Sequence, residues 1–174
     1  TNKSPIWRGL LRGGAGPLRS DSPQKFYPVL VDKEGKIVGA GNPLPLDVNK
    51  DTFEVPEGLL ACWPMKQDGV EGRWELKRAT FMERFEQGYV RAGELRSDGE
   101  RTIYYLRNAE IERLAKGEIV STGKNALGYH ELEYSDTERT TIPKTVWNNA
   151  THNSTEYGSN LLKLFLGRGK FSYP

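Results

Sequence analysis

The sequence predicts an α+β fold: a mixed, mainly antiparallel arrangement of sheets and hairpins with two or three short helices. Three observations carry that reading. Two pairs of apolar runs are each joined by a tight-turn signal, Glu34-Gly35-Lys36 and Ser97-Asp98-Gly99. Residues 77–87 place Phe81, Met82 and Phe85 on one helical face, with Gly88 as a stop. Strand and helix signals do not alternate in a steady βαβ rhythm, which disfavours a parallel sheet.

The elements follow in chain order. Residues 1–25 form a basic, glycine-rich lead-in with Arg8, Arg12, Arg19 and Lys25, and Asp21 as the only acid. Residues this polar near an end read as flexible. Their Gly-Gly-Ala-Gly turn offers backbone N–H groups of the kind that bind phosphate. FYPVLVD (26–32) is a strand, and 37–40 return as its hairpin partner. Residues 42–51 are a proline-bearing loop, 58–65 a short apolar core segment, and 72–76 extended again. After the helix at 77–87, residues 89–95 and 101–107 form the second hairpin. Asn108 is placed to cap a helix at 109–116, with Ile111, Leu114 and Ala115 inward and Gly117 ending it. Residues 119–121 and 129–134 read as strands around a polar turn, Thr122-Gly123-Lys124-Asn125. A charged linker, 135–139, precedes the last stretch.

That last stretch, 140–174, reads as an extended segment, a polar loop, a helix and a second extended segment. Pro143 holds Ile142 in β or polyproline geometry. Ser154 or Ser159 caps a helix that buries Leu161, Leu162, Phe165 and Leu166 and ends at Gly167 and Gly169. The chain stops at Phe171-Ser172-Tyr173-Pro174, an aromatic, uncharged end that reads as a cut in something longer.

Composition bounds the function. With 174 residues the chain is one domain or one and a half, long enough for a buried core. No apolar run is long enough to span a membrane, and TNKSPIWRGL has no apolar leader segment. Cys62 is alone, so no internal disulfide is expected and a reducing compartment such as the cytoplasm is the expected home. The 25 basic and 23 acidic residues leave a net charge of +2, so any nucleic-acid contact must come from a local face.

The second hairpin is dense in arginine and tyrosine: Arg91, Arg96, Arg101, Tyr104, Tyr105 and Arg107. Aromatics interleaved with arginine suit base stacking and phosphate contact. They suit equally a half-buried sheet with a charged outer face, which places the aromatics in the core. Lys124 and Asn125 on a turn are placed to read bases, since asparagine pairs bidentately with adenine. The alternative there is a plain turn, as a solvated face is the alternative for Lys77, Arg78 and Arg84 on the helix. His130, His152 and Cys62 have no zinc spacing, and His152 lacks a nucleophile elbow. No phosphate-cradling or dinucleotide glycine motif occurs.

The run P-K-T-x-W, then S-T-x-x-G-S-x-L-L, L-x-G and F-x-Y-P, resembles the type III restriction-modification family of adenine-specific DNA methyltransferases. PQKFYPVLVD (23–32) and ACWPMKQDGVEGRWELKRATF (61–81) are similar to that family in the same order, so the resemblance spans nearly the whole chain. It implies a target-recognition region: 1–25 leading out of a catalytic half, 26–139 the recognition domain, and 140–174 leading to the cofactor-side motif. The Asp-Pro-Pro-Tyr-like tetrapeptide and the glycine-rich donor loop are absent here. The resemblance puts them on either side, with a Lys directly after Pro174. It implies double-stranded DNA as partner, and with it a second modification subunit and a restriction subunit. It implies S-adenosylmethionine as the parent's methyl donor, edged by Phe171 and Pro174, and no catalysis by this piece alone. The expected DNA contacts are Arg12, Arg19, Lys77, Arg78, Arg91, Arg96, Arg107, Lys124, Asn125 and Lys144. The alternative reading is a non-enzymatic α+β domain for protein contact, with a modification subunit or a nuclease.

Overall fold

A computed structural model describes residues 5–135. The order of elements is β1 (Arg8–Gly9), β2 (Val29–Val31), β3 (Ile37–Ala40), β4 (Leu60–Cys62), α1 (Arg78–Gln87), β5 (Val90–Leu95), β6 (Arg101–Tyr105), α2 (Asn108–Ala115), β7 (Ile119–Lys124) and β8 (His130–Tyr134), with short 3-10 turns between. Three antiparallel sheets result: β3-β2-β4, β1-β6-β5 and the ribbon β7-β8. The class is α+β, with its helices set apart from antiparallel strands.

The first hairpin is locked by its own turn. Asp32 Oδ1 accepts from the N–H of Glu34 (3.0 Å) and of Lys36 (2.8 Å), and Gly35 takes φ +94°. Those bonds satisfy the turn where the strand ladder ends. On β2, Val29 and Val31 face the main core, and Leu30 faces a second cluster of Phe26, Ala61 and Trp63. The sheet is therefore covered on both sides.

The main core joins this sheet to β1-β6-β5 and to α1. Leu10, Tyr27, Val29, Cys62, Trp74, Phe81, Ile103 and Tyr105 all belong to it. Helix α1 turns Phe81 fully inward and ends at Gly88, whose φ of +78° suits glycine.

Three expectations are corrected. The stretch from residue 5 to 25 is no flexible lead-in. It supplies Leu10 to the core, pairs β1 with β6, and bridges Leu11 to Trp74 and Leu18 to Gly72. The stretch at 72–76, expected to be extended, pairs at Gly72 and Trp74 through such single bridges because its partner is this irregular arm. Helix α2 starts one residue early, with Arg107 at its cap position. Asn108 instead accepts a hydrogen bond from Arg84, and Glu110 is the buried residue, while Ala115 is exposed. Finally β7 runs through Lys124, across a register shift between Ser121 and Gly123, so the turn falls at 125–128. The expected strand-loop-helix segment at 140–174 lies outside the described residues.

Candidate nucleic-acid interface

Side chains alternate across a strand, so β1-β6-β5 has an inner and an outer face. Leu10, Ile103, Tyr105, Val90 and Ala92 point inward. The outer face carries one complete cross-strand row: Gly9 pairs with Tyr104, and Tyr104 with Arg91. Tyr104 has room to lie down because β5 carries Gly93 there. A Cβ on Gly93 would come within 3.0 Å of the Tyr104 ring.

Arg91 is the centre of this face. Its guanidinium carbon lies 4.7 Å from the Tyr104 ring centroid, 5.5 Å from Trp7 and 5.8 Å from Tyr129. Trp7 and Tyr129 meet edge to face, 5.7 Å apart at 83°. The three rings come from the bend just before β1, from β6 and from the β7–β8 connection. Such rings attract a guanidinium through their π faces and hold its plane. Arg91 Nε is buried without a hydrogen-bond partner. Arg91 and Arg8 are the arginines among the described residues whose guanidinium makes no hydrogen bond or ion pair with the protein. The terminal nitrogens of Arg91 are thus donors held in place and unspent.

Asn125 serves this face indirectly. Its Oδ1 accepts from the N–H of Leu127 (3.0 Å) and of Tyr129 (3.4 Å), and its own N–H donates to the Tyr129 carbonyl (3.0 Å). These bonds build the turn that delivers Tyr129. They also occupy the oxygen that a bidentate adenine contact needs. Beside it the Tyr89 and His130 rings meet tilted at 42°, 5.5 Å apart, and His130 Nδ1 lies 2.8 Å from Ser121 Oγ.

The other expected contacts are dispersed. Arg12 pairs with Glu75 at 2.7 Å, and Arg96 with Asp98 at 2.8 Å. Arg107 binds Glu110 through two nitrogens, at 2.6 and 3.0 Å. Arg78 donates to the carbonyls of Ala40 and Gly41, and Lys124 to that of Glu86. Arg19 is 4% exposed and serves the core. It pairs with Glu71 at 2.8 Å, donates to the carbonyls of Leu44, Pro45 and Val48, and lies over Phe26. Lys77 is exposed ahead of α1. Lys144, Phe171 and Pro174 lie outside the described residues, and with them the residues expected at S-adenosylmethionine. The Gly-Gly-Ala-Gly turn uses carbonyls: Ala15 O accepts from Arg12 and Gly16 O from Arg73.

One basic edge remains. Lys25 is held below its ordinary pKa, first by burial and then by the charge of Arg73, with Arg12 and Lys77 adding and Glu75 opposing. Lys25, Arg73 and Lys77 thus gather beside the Arg12–Glu75 ion pair, in which one cation is already neutralised.

Trp7 and Tyr129 are the members of the interface that sequence reasoning missed. Each stands far along the chain from Arg91, and neither lies in a pattern that marks it.

Among the described residues no helix is long and apolar enough to cross a membrane, and no group of three or more His, Cys, Asp or Glu side chains could hold a metal ion. No family model, no curated protein and no solved structure matches the chain.

Proposed function

We propose that this chain is the target-recognition region of a site-specific adenine-N6 DNA methyltransferase of the type III kind, and that it grips duplex DNA. The observation that carries the reading is Arg91, held among Trp7, Tyr104 and Tyr129 on an outward sheet face with its terminal nitrogens uncommitted. The ordered resemblance from Pro23 to Pro174 supports it. So does the gathering of Lys25, Arg73 and Lys77 beside the Arg12–Glu75 pair.

Each part has a physical role. Arginine and lysine at the edge neutralise phosphates and set the register of the duplex. Arg91 presents a planar fork suited to a phosphate or to guanine O6 and N7. The rings hold that fork in one orientation, which lowers the ordering cost of binding. In the parent enzyme S-adenosylmethionine supplies the methyl group. The residues described in this chain bind and orient DNA and carry no transfer step.

Fluorescence anisotropy of a labelled duplex with the full chain tests the reading. Affinity should fall roughly 10–1,000-fold between 50 and 200 mM salt, the range for a few phosphate contacts. Arg91→Ala should weaken it further at either salt. Absence of duplex binding at 50 mM salt, with self-association in sedimentation instead, overturns the reading in favour of a protein-contact domain.

A further inference from the structure

The row Gly9–Tyr104–Arg91 contains an open place. Among the described residues nothing lies within 4 Å of where a Gly9 Cβ would stand. Gly9 does not have positive φ, so the backbone does not require glycine there. Glycine in a strand costs about 0.5–1 kcal/mol relative to alanine. The contrast with Gly93 in the same sheet is direct, because the space over Gly93 is filled by Tyr104. Gly9 leaves bare backbone beside Tyr104, two positions after Trp7.

The chemistry around that place is selective. It combines flat π surfaces, Tyr104 and Trp7, with one oriented cation, Arg91. A phosphate would use the oriented cation but make no stacking contact with the rings. A base within a paired duplex shows only its edges, because its faces are already stacked on its neighbours. A nucleobase out of its stack offers a π face to the rings and polar edge atoms to the guanidinium.

We infer that this slot takes a single unstacked nucleobase, laid over Gly9 against Tyr104 and Trp7, with Arg91 donating to its edge or its phosphate. The inference rests on the DNA-binding reading and narrows it from duplex in general to DNA with an unpaired base. A parent that extrudes its target adenine would create such a base in the opposite strand.

The test uses the full chain and three labelled 20-mers: a fully paired duplex, the same duplex with one abasic site that leaves a base unpaired, and a single strand. The duplex with the unpaired base should bind at least roughly tenfold tighter than the paired one, the scale of one base stacked on an aromatic ring. Gly9→Leu fills the slot, and should bring that ratio to about one with the thermal midpoint no lower than wild type. Equal affinity of the wild-type chain for paired and unpaired duplexes overturns the inference and leaves duplex binding standing. A preference that survives in folded Gly9→Leu also overturns it. Binding to none of the three DNAs removes both readings.

Discussion

The guanidinium of Arg91 lies 4.7 Å from the ring centroid of Tyr104, its direct cross-strand partner. The contact keeps a cation on a sheet face where its Nε is shielded from solvent and makes no hydrogen bond. Lysine cannot reproduce it, because an ammonium has neither the plane nor the fork. Arg91→Lys should therefore lose nearly as much duplex affinity as Arg91→Ala, on the order of tenfold. Tyr104→Leu, which removes the ring but leaves the charge, should cost less. Binding isotherms of the three variants check this. Full affinity in Arg91→Lys would mean that only the charge matters.

Arg19 has the opposite character. It is buried and gathers three loop carbonyls, Glu71 and the Phe26 ring. Removing it leaves those carbonyls and one carboxylate without their donor. Arg19→Ala should destabilise the fold by about 2–4 kcal/mol, mainly from buried loop carbonyls left without a donor, since Glu71 is 37% exposed and water can take over its carboxylate. Arg19→Lys should cost less, since it keeps the charge but reaches fewer acceptors. Urea unfolding measures both. A surface-like loss below ~0.5 kcal/mol would contradict the burial.

Glu110 gives stability a dependence on acid. Burial pushes its carboxyl pKa up, but two hydrogen bonds from Arg107 and that residue's charge outweigh it, and the net shift is downward. A lowered folded-state pKa adds stability above the usual carboxylate range, and that stability is lost as pH falls through the folded value. Wild type should therefore lose more stability than Glu110→Gln between pH 7 and pH 3, measured by denaturant midpoints. Arg107→Ala should cost about 2–3 kcal/mol at pH 7, less than for a fully buried pair, because its side chain is 41% exposed. Equal acid sensitivity in wild type and Glu110→Gln would remove the pair from this role.

Cys62 should be silent in the native protein. It is fully buried, and that burial pushes its thiol up to about 11. Reaction with a thiol reagent at pH 8 should be slow in buffer and fast in denaturant, because the thiolate is the reacting form. Prompt labelling of the native chain would show that the β3-β2-β4 sheet opens readily.

The elements with local causes were legible in the chain itself. Asp32 and Gly35 close the first hairpin through bonds spanning a few residues. Asp98 closes the second in the same way, accepting from the Glu100 N–H at 3.0 Å. Helix α1 follows from the spacing of Phe81, Met82 and Phe85 and the stop at Gly88. These signals work because the interacting groups are neighbours in sequence, and each turn or helical face is decided within a few residues.

What the arginines do was decided only by tertiary structure. Arg19, Arg91 and Arg107 look alike in the chain, yet one staples the core, one stands among rings and one neutralises a buried glutamate. The sequence alone determined the antiparallel α+β class and the presence of an arginine- and tyrosine-rich hairpin. It left open which tyrosine turns outward, and it did not mark Trp7 and Tyr129 as the rings that join Tyr104 around Arg91. Strand pairing brings those residues together across long stretches of chain, and no short-range preference encodes a contact of that kind.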